Sequence, residues 1–308
     1  MKVYQSLRDL PYQERTVATI GTFDGIHCGH HLIIDALTAR ARETDGRALV
    51  ITFHPHPQEV LRRTGDSVPI LTTIDERIAE LEKLGVDALA IVRFTPEFAA
   101  IPWKDFCDML IREIGVEHIV MGHDHAFGKN REGNAESLRN YEGDHGGVEI
   151  TEIGPLIVHD ETVSSTKIRR ALLGGDIDRA IELLGRNYSF TGTVIRGDGR
   201  GRSLGIPTAN IRPLDETKLV PSNGVYCVRL LIGDRPLSGM ANIGVRPTFT
   251  DGTERTIEVN IFDFDKEIYD ATVTVEFLKF VRSERKFASG AEFMQQLELD
   301  RATCRTEK

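Results

Sequence analysis

A chain of 308 residues exceeds the size at which a single hydrophobic core usually stops growing, so two domains are expected. With 40% hydrophobic and 28% charged residues, the composition is that of a globular protein and excludes a fibrous or disordered one. The net charge of -9 argues against nucleic acid or an anionic membrane as partner, since both reward basic patches. Charged residues interrupt any apolar stretch in the opening MKVYQSLRDLPYQERT, which does not read as a secretory leader. The apolar runs Ala48 to Phe53 and Ala88 to Val92 have the length of strands, not of membrane spans. Cys28, Cys107, Cys227 and Cys304 are widely spaced without a CxxC pair, so a reduced, cytoplasmic protein is expected.

In chain order, strands are predicted at Thr16 to Gly21, Arg47 to Phe53, Asp87 to Phe94, Glu117 to Gly122 and Val148 to Ile153. Amphipathic segments separate them. One runs from about His31 to Arg42; another opens with the capping box Thr73-Ile-Asp-Glu76 and stops at Gly85; a third follows Pro102 and stops at Gly115. This alternation predicts a parallel sheet with helices on its faces. Beyond Gly185 the pattern changes. Thr191 to Arg196, Gly224 to Ile232, Leu237 to Ile243, Thr256 to Phe262 and Ala271 to Val281 read as strands joined by turns, with a helix from about Ser289 to Arg301. Closely spaced strands without helices between them predict an antiparallel barrel or sandwich. The domain boundary is placed between Gly185 and Tyr188.

The stretch Thr19-Ile-Gly-Thr-Phe-Asp-Gly-Ile-His-Cys-Gly-His30 is a strand, a glycine-punctuated loop and a helix start. That topology aims backbone N–H groups and the helix dipole at a phosphate. The spacing fits neither GxGxxG nor a Walker A loop. His27 and His30 stand where two imidazoles can donate to a phosphoryl group as charge develops on it. A second helix start, Val163-Ser-Ser-Thr-Lys-Ile-Arg-Arg170, puts Lys167 and Arg169 in a first turn, where cations are unfavourable unless an oxyanion binds. Most of the ten histidines lie near predicted strand C-termini, which also admits a metal-dependent phosphohydrolase with Asp24 and Asp124 as its carboxylates.

In the second half, Gly197-Asp-Gly-Arg-Gly-Arg-Ser-Leu-Gly205 reads as a flexible cationic flap. In the following Ile-Pro-Thr-Ala-Asn210, Thr208 and Asn210 share a face if extended and offer hard oxygen ligands suited to Mg²⁺ on nucleotide phosphates. In Arg255-Thr-Ile-Glu-Val-Asn-Ile-Phe262, alternation turns Glu258 away from Ile257, Val259 and Ile261, where it is either solvated or a general base.

Taken together, GTFDGIHCGH, FHPHP, GHDHAFG and SSTKIR resemble the adenylyltransferase half of the prokaryotic bifunctional riboflavin kinase/FAD synthetase family. GRGRSLGIPTAN, NGVY, ANIGVRPTF, IEVNIFDF and FVRSERKF resemble its riboflavin kinase half. The resemblance implies a Rossmann-like nucleotidyltransferase α/β domain over residues 1–185 and a six-stranded barrel with a C-terminal helix over 186–308. The implied activity is ATP-dependent phosphorylation of riboflavin to FMN, then adenylylation of FMN to FAD with release of pyrophosphate. By the same resemblance, His27 and His30 stabilise the transferring phosphoryl group, and Gly21, Phe23, Gly29, Ser164, Ser165, Thr166 and Arg169 bind ATP. Gly199, Gly201, Arg202, Thr208 and Asn210 bind the kinase ATP, Thr208 and Asn210 with Mg²⁺, and Glu258 is the catalytic base. Asp124, Phe127, Arg282 and Glu284 meet flavin. The chain departs from the family pattern at His54, His123, His125, Ala126 and Asn260. Kinase activity alone, or flavin binding without turnover, are the remaining alternatives.

Overall fold

A computed structural model describes residues 1–61, 68–141, 148–197, 206–247 and 253–307. The chain packs as two compact units, Met1–Ser165 and Thr166–Lys308.

The first unit is built on β1 (Lys2–Tyr4), β2 (Thr16–Ile20), β3 (Arg47–His54), β4 (Ala88–Arg93), β5 (Val116–Gly122) and β6 (Glu149–Ile153). These form one sheet in the order β1-β4-β3-β2-β5-β6, every neighbouring pair parallel. All five residues of β2 and the first six of β3 are buried, the continuous apolar reading of strands covered on both faces. Alternate residues supply the two layers. Ala18, Ile20, Leu49 and Ile51 pack with Phe106, Leu110 and Ile114, while Val17, Ala48 and Val50 pack with Ile34, Leu37 and Leu81. Strand order reverses between β2 and β5, so the crevice where such sheets take ligands lies outside their carboxyl ends. A short hairpin of β7 (Ile157–Val158) and β8 (Glu161–Thr162) follows.

The predicted strands of this unit all form, within a residue or two of the expected ends. Three features differ. β1 was not expected. The first helix spans Cys28–Glu43 and so begins three residues earlier than its periodicity predicts. The segment after Pro102 is the helix Trp103–Met109 continued by a π-turn, Leu110–Ile114, and closed by Gly115 at φ 84°.

In the second unit β9 (Tyr188–Ile195), β10 (Ala209–Pro213), β11 (Gly224–Ile232), β12 (Arg235–Pro247), β13 (Thr253–Ile261) and β14 (Thr272–Arg282) close into an antiparallel barrel, β10-β13-β12-β11-β14-β9. Burial alternates along β9, and Phe190, Tyr226 and Phe277 fill the interior. Closure removes sheet edges within the ring. The helix Ile177–Leu184 lays Ile177, Ala180, Leu183 and Leu184 inward against β9 and β14, and Gly185 ends it at φ 76°. The C-terminal helix Gly290–Thr306 is bonded to β11 through a Cys227–Cys304 disulfide, which the wide spacing of the cysteines did not suggest. Cys28 and Cys107 form no disulfide. Among the described residues no helix is long and apolar enough to cross a membrane.

Candidate active sites

The loop after β2 is a strained turn fastened from below. Phe23 and Ile26 take positive φ values of 46° and 37°, which bulky and β-branched side chains avoid unless their surroundings over-determine them. Here they do, because both side chains are buried in the layer formed with Ile34 and Leu37. Between them the fully buried Asp24 carboxylate accepts the backbone N–H groups of Leu71 at 2.9 Å and Thr72 at 2.9 Å, and the Thr72 hydroxyl at 3.3 Å. Thr72 Oγ1 in turn accepts from Gly25 N at 3.0 Å. Thr52 donates to the Thr22 carbonyl and Ser165 to the Asp24 carbonyl, at 3.1 and 2.8 Å. The buried Arg77 guanidinium donates to Thr52 Oγ1 at 2.8 Å. Burial pulls its pKa down, and the nearby Asp24 charge works against that.

At the end of this loop His27 caps the Cys28–Glu43 helix. Its Nδ1 accepts from His30 N at 3.3 Å, and His30 Nδ1 accepts from His27 N at 3.4 Å, a capping box made of two imidazoles. The rings stack with centroids 3.7 Å apart and planes within 15°. A Cβ at position 29 would sit 3.2 Å from His27 Nδ1, so glycine there lets the ring lie on the helix start. Because each Nδ1 is an acceptor, each neutral ring carries its proton on Nε2. Two Nε2–H donors at a helix N-terminus suit a phosphoryl group carrying developing charge.

The loop leaving β5 lies at the neighbouring carboxyl end. His123 N donates to Ile153 O at 3.0 Å, and Arg131 donates to the Asp124 carbonyl at 2.9 Å. The Asp124 side chain is 84% exposed. Phe127 is buried; it bridges Gly133 through two backbone bonds of 3.0 Å and meets Phe106 edge-on at 5.5 Å, so it packs beneath the loop. The His125 Nδ1 is shut from solvent with no hydrogen-bond partner among the described residues. Burial, helped by the Arg131 charge, pushes this imidazole down to about 4. Among the described residues no group of three or more His, Cys, Asp or Glu side chains is arranged to hold a metal ion. The seven histidines His27, His30, His31, His54, His56, His123 and His125, with Cys28, lie near the strand ends without forming such a cluster.

On the barrel, Asn210 of β10, Glu258 of β13 and Asn242 of β12 stand directly opposite one another across three adjacent strands. Directly opposed residues share a face, so the three polar side chains form one row. Thr208 donates to Glu258 Oε2 at 3.4 Å. Ile257, Val259 and Ile261 are buried on the other side of β13, as their alternation predicts, and Glu258 is half-buried. The Glu284 carboxylate lies over Gly244, beside Asn242, and receives the Asn223 amide at 3.5 Å. Arg282 is turned elsewhere: its guanidinium pairs with the buried Asp300 of the C-terminal helix at 2.7 Å. Asn260, two residues from Glu258, donates to the Pro207 carbonyl at 2.8 Å, and its buried Oδ1 lacks a partner among the described residues. It borders a cavity of about 400 Å³ with Pro207, Asp263, Phe264, Asp265 and Arg301.

Two family models match the chain in tandem: FAD synthetase over residues 9–167 and Riboflavin kinase over residues 184–307. A "Bifunctional riboflavin kinase/FMN adenylyltransferase" of Bacillus subtilis (strain 168) is 38% identical over 292 residues, covering 94% of this chain and 91% of that protein. The chain belongs to the bifunctional riboflavin kinase/FMN adenylyltransferase family. The Escherichia coli (strain K12) member is 36% identical over 310 residues, covering 99% of this chain and 97% of its own. A solved structure from Streptococcus pneumoniae, described as a macrolide-efflux protein, superposes with TM-score 0.90 at 33% identity, covering 99% of this chain and 98% of that one. That likeness extends the shared architecture through both halves.

Set in this bifunctional family, the sequence-predicted residues fall into three groups. Gly21, Phe23, His27, Gly29, His30 and Ser165 gather around the loop after β2, and Ser164 adjoins them in sequence. Thr208, Asn210 and Glu258 gather on the outer face of the barrel, with Glu284 beside their row. Thr166 and Arg169 lie on the helix Ser165–Gly174, in the second unit. Gly199, Gly201 and Arg202 lie outside the described residues. Sequence reasoning missed Asn242, Asp300 and the Leu71–Thr72 support of Asp24. Only Asn242 had a signal, its place in ANIGVRPTF facing the Glu258 strand.

Proposed function

We propose that the barrel half transfers the γ-phosphoryl group of ATP to riboflavin, and that the α/β half then joins FMN to the adenylyl group of a second ATP. The observation that carries this reading is the separation of two phosphate-handling arrangements on one chain. One is a reciprocal imidazole cap at the switch point of a parallel sheet; the other is a row of hard oxygen donors around Glu258 on a barrel. Neither resembles a Walker A loop, so each half would handle a nucleotide in its own way.

In the barrel, Glu258 accepts the proton of the terminal ribityl hydroxyl as that oxygen attacks the γ-phosphorus. Thr208 and Asn210 would hold Mg²⁺: a hydroxyl and an amide carbonyl are hard ligands, and the Glu258 carboxylate 3.4 Å from Thr208 makes the setting anionic. The ion, when bound, neutralises charge on the transferred phosphoryl group. Glu284 borders the same row and is assigned to flavin. Arg282 is assigned to flavin with it, though its guanidinium pairs with Asp300 in this structure. In the α/β half, the FMN phosphate attacks the α-phosphorus of ATP and pyrophosphate leaves. His27 and His30 donate from Nε2 to the developing oxyanion, with the helix dipole behind them. Ser164, Ser165, Thr166 and Arg169 are assigned to the triphosphate, and Asp124, with the loop that Phe127 packs beneath, to flavin.

We place the functional boundary near Gly185, which ends the Ile177–Leu184 helix, and the protein in the cytoplasm with flavins and ATP as its ligands. The test is a time course with riboflavin, Mg²⁺ and ATP, with flavins resolved by chromatography. FMN should rise first and FAD follow with equimolar pyrophosphate. Absence of both flavin products would overturn the proposal, and FMN without FAD would restrict it to the barrel.

A further inference from the structure

The C-terminal helix Gly290–Thr306 is held to the barrel with little help from apolar burial. Of its 17 residues only Asp300 and Cys304 are buried. Phe293, Met294 and Leu297 are only half-buried, Leu297 against the cluster of Val225, Cys227 and Met240 and Phe293 edge-on to Phe287 at 5.4 Å, and Leu299 is 59% exposed. An amphipathic helix normally docks through a fully buried apolar stripe, and this one buries no apolar side chain but Cys304 completely. The remaining ties are polar. Arg305 pairs with Asp263 at 2.8 Å and Glu307 with Lys279 at 2.5 Å, both partly exposed, where ion pairs contribute little. Arg301 and Arg305 stack over Phe262 at 5.4 and 5.3 Å. The strong ties are the buried Asp300–Arg282 pair and the Cys227–Cys304 bond.

The same helix forms part of the cleft next to Glu258. Arg301 lines the 400 Å³ cavity together with Pro207, which precedes Thr208, and Asn260, which lies on the Glu258 side of β13. Loosening the helix therefore moves a wall of that cleft and releases Asp300 from Arg282. We propose that Cys227 and Cys304 form a reversible thiol–disulfide switch that sets how firmly the C-terminal helix closes on the kinase cleft. Its consequence for kinase activity rests on the function proposed above; its consequence for the helix does not.

The chemistry balances with a low-molecular-weight disulfide as oxidant. A thiolate of the pair attacks that disulfide and expels one small thiol. The second cysteine then attacks the mixed disulfide and expels the other, so the pair loses two electrons and two protons as one small disulfide becomes two thiols. A small dithiol reverses both steps. Both sulfurs are buried, but Cys304 lies in the last turn of the helix, two residues from its end and beside the exposed Arg305 and Thr306. Helix ends fray, and fraying there opens the bond to attack.

The full chain is equilibrated with oxidised glutathione or with dithiothreitol. Thiols are counted in denaturant, the Cys227–Cys304 peptide pair is mapped, amide exchange in Gly290–Thr306 is followed, and both flavin reactions are assayed. Of four cysteines, two are bonded, so two thiols are expected after oxidation and four after reduction. Reduction should speed helix exchange at least tenfold and raise the riboflavin or ATP KM of FMN formation severalfold, leaving conversion of supplied FMN to FAD unchanged. Cys304→Ser should show the reduced behaviour in both buffers. Four thiols after glutathione treatment, or an intact bond with helix exchange unchanged between the two states, would overturn the switch. If exchange responds and no FMN forms in either state, the switch stands and the kinase assignment falls.

Discussion

Replacing Asp24 with alanine tests whether the strained loop before His27 is held by a buried carboxylate. The substitution removes the acceptor for Leu71 N and Thr72 N, each at 2.9 Å, in a site without solvent. A buried donor left unpaired costs about 1–3 kcal/mol, so two cost about 4 kcal/mol at the middle of that range. The buried Arg77 also loses the charge that counters its desolvation, which adds to the loss. The protein's single tryptophan, Trp103, lies in the first unit, edge-on to Tyr141 at 5.3 Å, so its fluorescence reports this unit alone. With a urea m-value of about 2 kcal/mol/M, a loss of about 4 kcal/mol lowers the unfolding midpoint by about 2 M. Asp24→Asn keeps one acceptor oxygen and should lower it by about half as much. FMN adenylylation should fall in both variants, since Gly25 hangs from Thr72 and the imidazole pair follows directly. A midpoint within about 0.3 M of the parent for Asp24→Ala would refute the claim that this carboxylate holds the loop.

Glu258→Gln should abolish FMN formation while supplied FMN is still converted to FAD; His30→Ala should do the reverse, with FAD output reduced at least a hundredfold, about 2.7 kcal/mol of lost oxyanion stabilisation. Gly197→Ala places a Cβ against the Asn210 amide, so FMN formation should drop at least tenfold with FAD synthesis from FMN untouched, as paired assays would show. His125 should make the first unit acid-sensitive. Its folded pKa of about 4 lies below the ordinary 6.5, so the unfolded chain binds a proton that the folded one refuses. That contribution is complete above pH 6.5 and is lost as pH falls toward 4, a total of about 3 kcal/mol. His125→Phe should therefore flatten the fall in the Trp103 urea midpoint between pH 7 and 4.5 by about 1 M.

Local signals carried most of this fold into the sequence. β3 reads as a strand because both its faces are covered and its apolar run is unbroken, and Glu258 shows its orientation because period-two burial leaves it opposite Val259. β1 escaped because three residues, Lys2-Val-Tyr4, carry no periodicity and owe their conformation to pairing with β4. β10 escaped because Pro207 and Pro213 bracket it, and its strand character comes from closing the ring between β9 and β13. Asp24 read as a candidate metal carboxylate because the backbone donors to it are 47 and 48 residues away. The Cys227–Cys304 bond joins positions 77 apart, with no spacing rule to announce it.

The same division separates the groups that perform chemistry from the groups that hold them. A helix start, an imidazole pair or two oxygen ligands on one strand face occupy fewer than ten consecutive residues, so local pattern exposes them. What fixes their geometry is remote. Phe23 and Ile26 sit in backbone conformations that local preference opposes, and they stay there because their side chains are buried under the sheet and because Leu71, Thr72 and Ser165 tie the loop. Local preference fails where a site needs a shape the chain would not choose, and the compensating contacts come from elsewhere in the fold. A substitution at Thr72, which touches no proposed reacting atom, should then impair FAD synthesis as surely as one at His27.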